Sequence, residues 1–265
     1  MFEVLQIMSS KKVHPLKYSV HTRLREFHLR RLFPRLSTGR LLDVGCGLGY
    51  LTETLGKDFI TTGMDYDIHA LEVNQARGLD MVRGSVAQLP FKEQSFDVIL
   101  CSEVLEHLPE GVDEKALAEM ARLLRPGGRL LITVPSLEGI RAESVLRNLG
   151  HDDPAGGEYH YRIGYAWQNI EAMIARTPSL KIIRKRYAMF LFSELFMDIL
   201  KWVYFKKNKL KEHSDMMEMK DSLLFRTYRF VFPMLHFCFV CEDMLLASIF
   251  KGHILVLALE RTNAP

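Results

Sequence analysis

The feature that most constrains this chain is the run Leu41-Leu42-Asp43-Val44-Gly45-Cys46-Gly47-Leu48-Gly49-Tyr50-Leu51-Thr52. An apolar stretch holding one acid is followed by three glycines within five positions, and then by an amphipathic segment. The pattern reads as a buried strand, a tight turn and a helix N-terminus. Glycine takes positive φ without penalty and lets a ligand approach the backbone. A helix N-terminus offers unpaired N–H groups and the positive end of the helix dipole. Together they seat a ligand that carries hydroxyls, carboxylate or phosphate.

Two ligands commonly use such a turn, dinucleotides and S-adenosylmethionine. The dinucleotide fingerprint is G-x-G-x-x-G. Here Gly45, Gly47 and Gly49 alternate, so the third glycine comes one place early. Asp43 stands two residues before the first glycine. A carboxylate there attracts an α-ammonium and has no task beside a pyrophosphate. The D-V-G-C-G-x-G arrangement resembles motif I of class I S-adenosylmethionine-dependent methyltransferases, of the type 11 kind that includes ubiquinone- and menaquinone-pathway enzymes. The resemblance implies that Asp43, Gly45, Cys46, Gly47 and Gly49 hold that cofactor.

The pattern of the chain supports a doubly wound parallel sheet. Strands are expected at 40–44, 58–64, 79–84, 95–101, 129–135, 180–189 and 251–260. Helices are expected at 49–56, 68–77, 113–124 and 166–176, with Arg125-Pro126-Gly127-Gly128 closing the third of these. The run from Ser95 to Cys101 is nearly continuous in apolar residues, as in a central strand buried on both faces. The fold class is therefore α/β: a Rossmann-like, doubly wound, seven-stranded sheet. The resemblance adds an antiparallel last strand beside the sixth. The two are usually joined by a short turn, but here about sixty residues intervene. Three parts follow: a helical N-terminal cover over 1–39, the main domain over 40–190 plus 251–265, and a helical, aromatic-rich insert over 191–250.

Asp65 falls at the tip of the second strand, placed to accept hydrogen bonds from ribose hydroxyls, with Tyr66 beside it. Asp67 is placed to cap the next helix. Gly84-Ser85-Val86-Ala87-Gln88-Leu89-Pro90-Phe91 resembles the family's G-D-A-x-x-L-P-F turn, which implies adenine contacts at Ser85 and Val86. Ser85 replaces the usual aspartate and is a weaker, uncharged acceptor. Cys101, at the end of the fourth strand, and Tyr18, on the leading helix, complete the candidate cofactor contacts.

His107 lies just past the fourth strand and is a candidate base or acceptor contact. Glu103, Glu106 and His107 share one face if their segment is helical. E-x-x-E-H resembles the metal sites of small-RNA 2′-O-methyltransferases and ubiquinone-pathway O-methyltransferases. That resemblance implies His160, with His151 as runner-up, as the completing ligand of a divalent metal. The same V-L-E-H run also occurs in methyltransferases that use no metal. The H-x-R at His160 and Arg162 is also readable as a loop-orienting pair.

Four cysteines give no disulfide framework, and Cys238 and Cys241 read as two buried thiols one helical turn apart. No N-terminal secretory pattern is seen, so the expected location is cytoplasmic. Charge is uneven. Residues 1–40 and 181–211 each carry nine Lys or Arg against two acids, whereas 41–180 carry twelve against twenty-one. Such asymmetry suits a polyanion, either nucleic acid or an anionic membrane surface. Residues 187–250 hold fourteen of the twenty-seven aromatics. Within them, 187–205 reads as an amphipathic helix, with Glu194, Asp198 and Lys201 on one face. A basic cluster at 206–211 follows, then apolar runs before and after Pro233. This favours peripheral membrane attachment through 187–250 over nucleic acid, with dimer or cap packing as the alternative. The function expected is methyl transfer to a small-molecule or lipid-linked acceptor, at oxygen. The rivals are a non-catalytic cofactor-binding or membrane-associated scaffold and an NAD-dependent oxidoreductase.

Overall fold

A computed structural model describes residues 14–34, 38–139, 161–190, 192–196, 199, 223–247 and 249–262. His151, His160, the 206–211 cluster and nine of the nineteen residues of the amphipathic stretch 187–205 lie outside them.

Seven strands form one sheet in the order β3-β2-β1-β4-β5-β7-β6. They are β1 (Arg40–Val44), β2 (Ile60–Asp65), β3 (Asp80–Arg83), β4 (Phe96–Ser102), β5 (Leu124–Pro135), β6 (Leu180–Ala188) and β7 (Ile254–Arg261). The first five are parallel. β7 runs antiparallel between β5 and β6. The helices are α1 (Val20–Leu32), α2 (Tyr50–Leu55), α3 (Ile68–Gln75), α4 (Val112–Leu123), α5 (Trp167–Ala175) and α6 (Leu223–Leu246). The fold class is thus the one expected, and α6 occupies the long connection between β6 and β7.

Strand alternation sorts the core into two layers. Leu41, Val98, Leu100, Leu131, Val256 and Ala258 face α1, α2 and α6. Leu42, Val44, Ile99, Leu130, Ile132 and Leu257 face α4 and α5. The central strands are apolar at nearly every position because both faces are covered. Asp43 falls in the α1 layer by the same alternation, which turns its carboxylate under α1 and α2.

Two local expectations are corrected. Arg125-Pro126-Gly127-Gly128 does not separate α4 from a later strand. β5 begins at Leu124, which pairs with Phe96, and the register then jumps to Arg129 opposite Val98. The four residues form an irregularity within the strand, and Gly127 takes φ +78° there. The Arg125 guanidinium and the Arg40 N–H both bind the Asp97 carboxylate and fix that edge. α6 runs through Pro233 without a break. Pro233 is on the exposed side, so the carbonyl its ring frees four residues earlier faces solvent. Cys238 and Cys241 are not both buried, since Cys238 is exposed.

One fully buried polar pair joins α1 to α6 on their shared side of the sheet. His28 Nε2 lies 2.7 Å from Asp243 Oδ2, with both side chains inaccessible. Asp243 also accepts the Met189 N–H at 3.1 Å, where the chain leaves β6 at φ +59°. Asp243→Ala removes the acceptor from two buried donors. Its expected cost is about 3 kcal/mol or more of folding stability, measured by urea unfolding.

Candidate functional site

Beyond the carboxyl ends of β1, β2 and β4 the structure holds a cavity of about 870 Å³. It lies where the strand order reverses between β1 and β4, the usual ligand position in such sheets. Its floor is the glycine turn. Gly45, Gly47 and Gly49 take φ of +67°, +49° and +74°. The three are not equivalent. A Cβ on Gly45 would fall 2.5 Å from Val104, and one on Gly49 would fall 2.2 Å from the Asn74 side chain. A Cβ on Gly47 would meet nothing within 4 Å. Gly45 and Gly49 therefore serve close packing, whereas Gly47 leaves backbone open to a ligand.

Side-chain hydrogen bonds brace the turn. Asn74 donates to the Gly47 carbonyl at 2.7 Å. The Asp65 carboxylate accepts the Gly47 N–H at 2.8 Å and the Asp67 N–H at 3.0 Å. Asp67 caps α3 by accepting the His69 N–H at 2.9 Å, as its place in the sequence suggests. Asp43 is buried and accepts the Thr52 hydroxyl at 2.6 Å. Burial, with a smaller contribution from the Asp65 charge and against the Thr52 hydrogen bond, pushes Asp43 up to about 7. Burial and the two nearby carboxylates push the Cys46 thiol up, so it stays neutral.

The leading segment closes one side. His14 accepts the Leu16 N–H at Nδ1, so its Nε2 carries the proton donated to the Leu48 carbonyl at 2.9 Å. Burial holds this imidazole down to about 4, hence neutral. Glu26 on α1 is buried and accepts the Tyr50 hydroxyl at 2.8 Å. Arg30 Nε donates to Glu26 at 2.9 Å, and Arg23 pairs with it as well. Tyr50 is the first residue of α2, so this cluster ties α1 to the start of the turn's own helix. Thr22 and Arg25, one turn apart on α1, then line the cavity.

On the far side, Arg25 donates to Ser102 Oγ at 3.3 Å. Thr133 donates to Glu103 at 2.9 Å and so receives the Ser102 hydroxyl at 2.8 Å. A directed chain of hydrogen bonds thus runs from a guanidinium to a carboxylate across the ends of β4 and β5.

Asp43, Gly45, Cys46, Gly47, Asp65, Tyr66, Ser85, Val86, Glu103 and His107 all line the cavity. Ser85 Oγ already accepts the Ala87 N–H at 3.3 Å. Three expected contacts do not line it. Gly49 faces Asn74 and serves packing. Cys101 is buried in the opposite layer, because the register pairs it with Val44 rather than Asp43. The Tyr18 ring turns to α6 and packs edge-on against Phe232 at 5.5 Å. Leu16, Thr22, Arg25, His69 and Ser102 line the cavity without having been singled out. The polar pair Thr22 and Arg25, one helical turn apart on α1, was the available signal.

The shared helical face of Glu103, Glu106 and His107 does not form. Glu103 takes φ +57° and bonds to Thr133, and only Leu105–His107 make a single 3-10 turn. Among the described residues no three His, Cys, Asp or Glu side chains are grouped to hold a metal ion. Arg162 pairs with the buried Asp113 at 2.9 Å and anchors its loop, the structural reading of that motif.

Two consequences are measurable. Gly49→Ala should unfold the turn and abolish ligand binding. Gly47→Ala should keep the fold at a cost of about 1 kcal/mol for its positive φ, yet weaken any ligand seated there. Thermal melting and titration calorimetry separate the two. Asp43 holds a proton in the folded state that an ordinary aspartate releases near 3.8. The ligand-free protein should therefore lose stability as pH rises from about 4 toward 7, and Asp43→Asn should flatten that slope.

Comparison with known proteins agrees with this geometry. Residues 42–132 match the family model Methyltransf_11, described as a methyltransferase domain. The phthiotriol/phenolphthiotriol dimycocerosates methyltransferase 1 of Mycobacterium ulcerans is 41% identical over 115 residues, which is 40% of this chain and 41% of that protein. The ubiquinone biosynthesis O-methyltransferase of Klebsiella pneumoniae is 33% identical over 108 residues, 38% of this chain and 44% of that protein. The matched part therefore spans less than half the length of these relatives. The N-methyltransferase NodS of Bradyrhizobium japonicum, solved with S-adenosyl-L-homocysteine, shares the fold at TM-score 0.53 and 16% identity, over 99% of this chain and 98% of that one. Residues 42–132, which hold the glycine turn, Asp65 and the loop after β4, are thus a methyltransferase domain.

Proposed function

We propose that the protein transfers a methyl group from S-adenosylmethionine to an oxygen of a small-molecule or lipid-linked acceptor. The observation that carries this reading is the meeting of Asp43, Asp65, open Gly47 and His107 in one cavity. Asp43 fits an α-ammonium, because a cation would hold ionised a carboxylate that burial otherwise drives toward neutrality. Asp65 is aimed by two backbone N–H groups and keeps lone pairs for ribose hydroxyls. Ser85 and Val86 are offered for the adenine. Arg25 is the cation on the cavity wall suited to the cofactor's carboxylate. Bound there, the cofactor supplies an electrophilic methyl group.

Methyl transfer asks the protein to align an acceptor and keep water out. The cavity volume lies in the upper part of the range for small-molecule sites, about 300–1,000 Å³, which leaves room for an acceptor. His107 is assigned to take the hydroxyl proton. The similarity to a ubiquinone biosynthesis O-methyltransferase supports an oxygen acceptor, and that to a phthiotriol/phenolphthiotriol dimycocerosates methyltransferase supports a lipid-linked one. Against a dinucleotide stands Asp43, whose carboxylate would repel a pyrophosphate.

Titration calorimetry should show binding of S-adenosylmethionine and S-adenosylhomocysteine but not NAD. No binding of either sulfur ligand overturns the proposal. Asp65→Ala should weaken cofactor binding about tenfold or more, through loss of charged acceptors. His107→Gln should leave that affinity alone and lower turnover about a hundredfold. Cofactor binding without turnover on hydroxylated quinone-like or polyprenyl acceptors would favour the scaffold reading.

A further inference from the structure

Helix α6 is apolar on two opposite sides. Its inner side, with Tyr228, Phe232, Leu235 and Phe239, packs into the layer over the sheet. The Tyr228 hydroxyl donates to the Tyr18 carbonyl at 2.6 Å, which sets α6 against the segment that borders the cavity. On the outer side, Phe230, Met234, Phe237 and Leu245 follow a helical stripe and are 86%, 63%, 67% and 71% exposed. Single exposed apolar residues are ordinary, but a continuous stripe marks a surface for a partner.

The charges decide which partner. The helix carries two acids, Glu242 and Asp243, and both are engaged inward. Glu242 accepts the N–H groups of Phe192 and Ser193 at 2.7 and 3.1 Å. Asp243 binds His28 and Met189. The outer side of α6 therefore presents no carboxylate, while Arg226 and Arg229 are exposed. A second basic group stands on the same side of the sheet. Ala188 packs in the α1 layer, and alternation along β6 places Arg184 and Arg186 there too. Burial, then the charges of Arg31 and Arg184, hold the Arg186 guanidinium below its usual range. Among the described residues no carboxylate pairs with any of these three arginines.

We propose that the outer stripe of α6 and the Arg31, Arg184 and Arg186 group form one docking face for an anionic lipid bilayer. The apolar side chains enter the headgroup boundary, and the arginines meet lipid phosphates. Among the described residues no helix is long and apolar enough to cross a membrane, so α6 lies along the surface. A second copy fits less well. A two-fold contact would bring like patch to like patch and set arginines against arginines. The docking face stands independently of the methyl-transfer reading.

The test is sedimentation of the full chain with vesicles at physiological ionic strength. One set is phosphatidylcholine alone, and the other has about one third phosphatidylglycerol. The protein should sediment with the anionic set and much less with the neutral one. Arg184→Gln with Arg186→Gln should weaken binding about fivefold per arginine. Phe230→Ser with Phe237→Ser should weaken it about tenfold or more. Thermal melting and far-UV circular dichroism report whether each variant is folded. If the phenylalanine pair misfolds, the arginine pair decides. Equal binding to both vesicle sets, no binding, or full binding by the arginine pair overturns the proposal. A concentration-dependent dimer that ignores vesicles and is lost with the phenylalanine pair assigns the face to a second copy and overturns it too.

Discussion

The carboxyl edge of the sheet depends on one tight reversal, in which the chain passes from β1 to α2 within five residues. Backbone at φ +67° and +74° leaves no room for a Cβ at Gly45 or Gly49. Val104 and Asn74 fill those spaces instead, and they bring the β4 loop and α3 against the turn. Three separate segments thereby converge on one floor. The middle glycine, with open space above it, is the part left for a ligand. Asp43 is buried beside it because strand alternation gives it no other direction.

That floor is incomplete without the leading segment. A neutral His14 holds the Leu48 carbonyl, and Glu26 gathers Arg23, Arg30 and the Tyr50 hydroxyl. These contacts link residues far apart in sequence and bring Thr22 and Arg25 over the cavity. α1 is in turn held from behind by α6 through the inaccessible pair His28 and Asp243. The same acid, with Glu242, is withdrawn from the outer surface of α6. One arrangement thus joins the cover of the site to the insert and leaves the insert's outer side apolar and basic.

The sequence made the sheet legible because its strands are apolar runs bounded by glycine, proline and acids. Asp65 and Asp67 were readable for the same reason, since their roles follow from a strand end and a helix start. Chain-local patterns failed where a side chain's direction was needed. Cys101 sits one register position away from the cavity face. Tyr18 prefers the aromatic surface of α6, which lies more than two hundred residues later. Glu103 adopts a left-handed backbone that no helical spacing foresees, so the shared face with Glu106 and His107 is lost. Pro233 sits inside α6 because proline is tolerated on a solvent-facing side.

What the sequence determined by itself is the strand–turn–helix at Asp43 to Thr52, the order of strands and helices, and the type of ligand the turn invites. Those features rest on backbone freedom and periodicity, which are local. Only the tertiary structure decided which side chains share the cavity, why Asp43 resists ionisation and which side of α6 stays uncovered. These rest on burial and on contacts between distant segments, and neither is fixed until the layers pack.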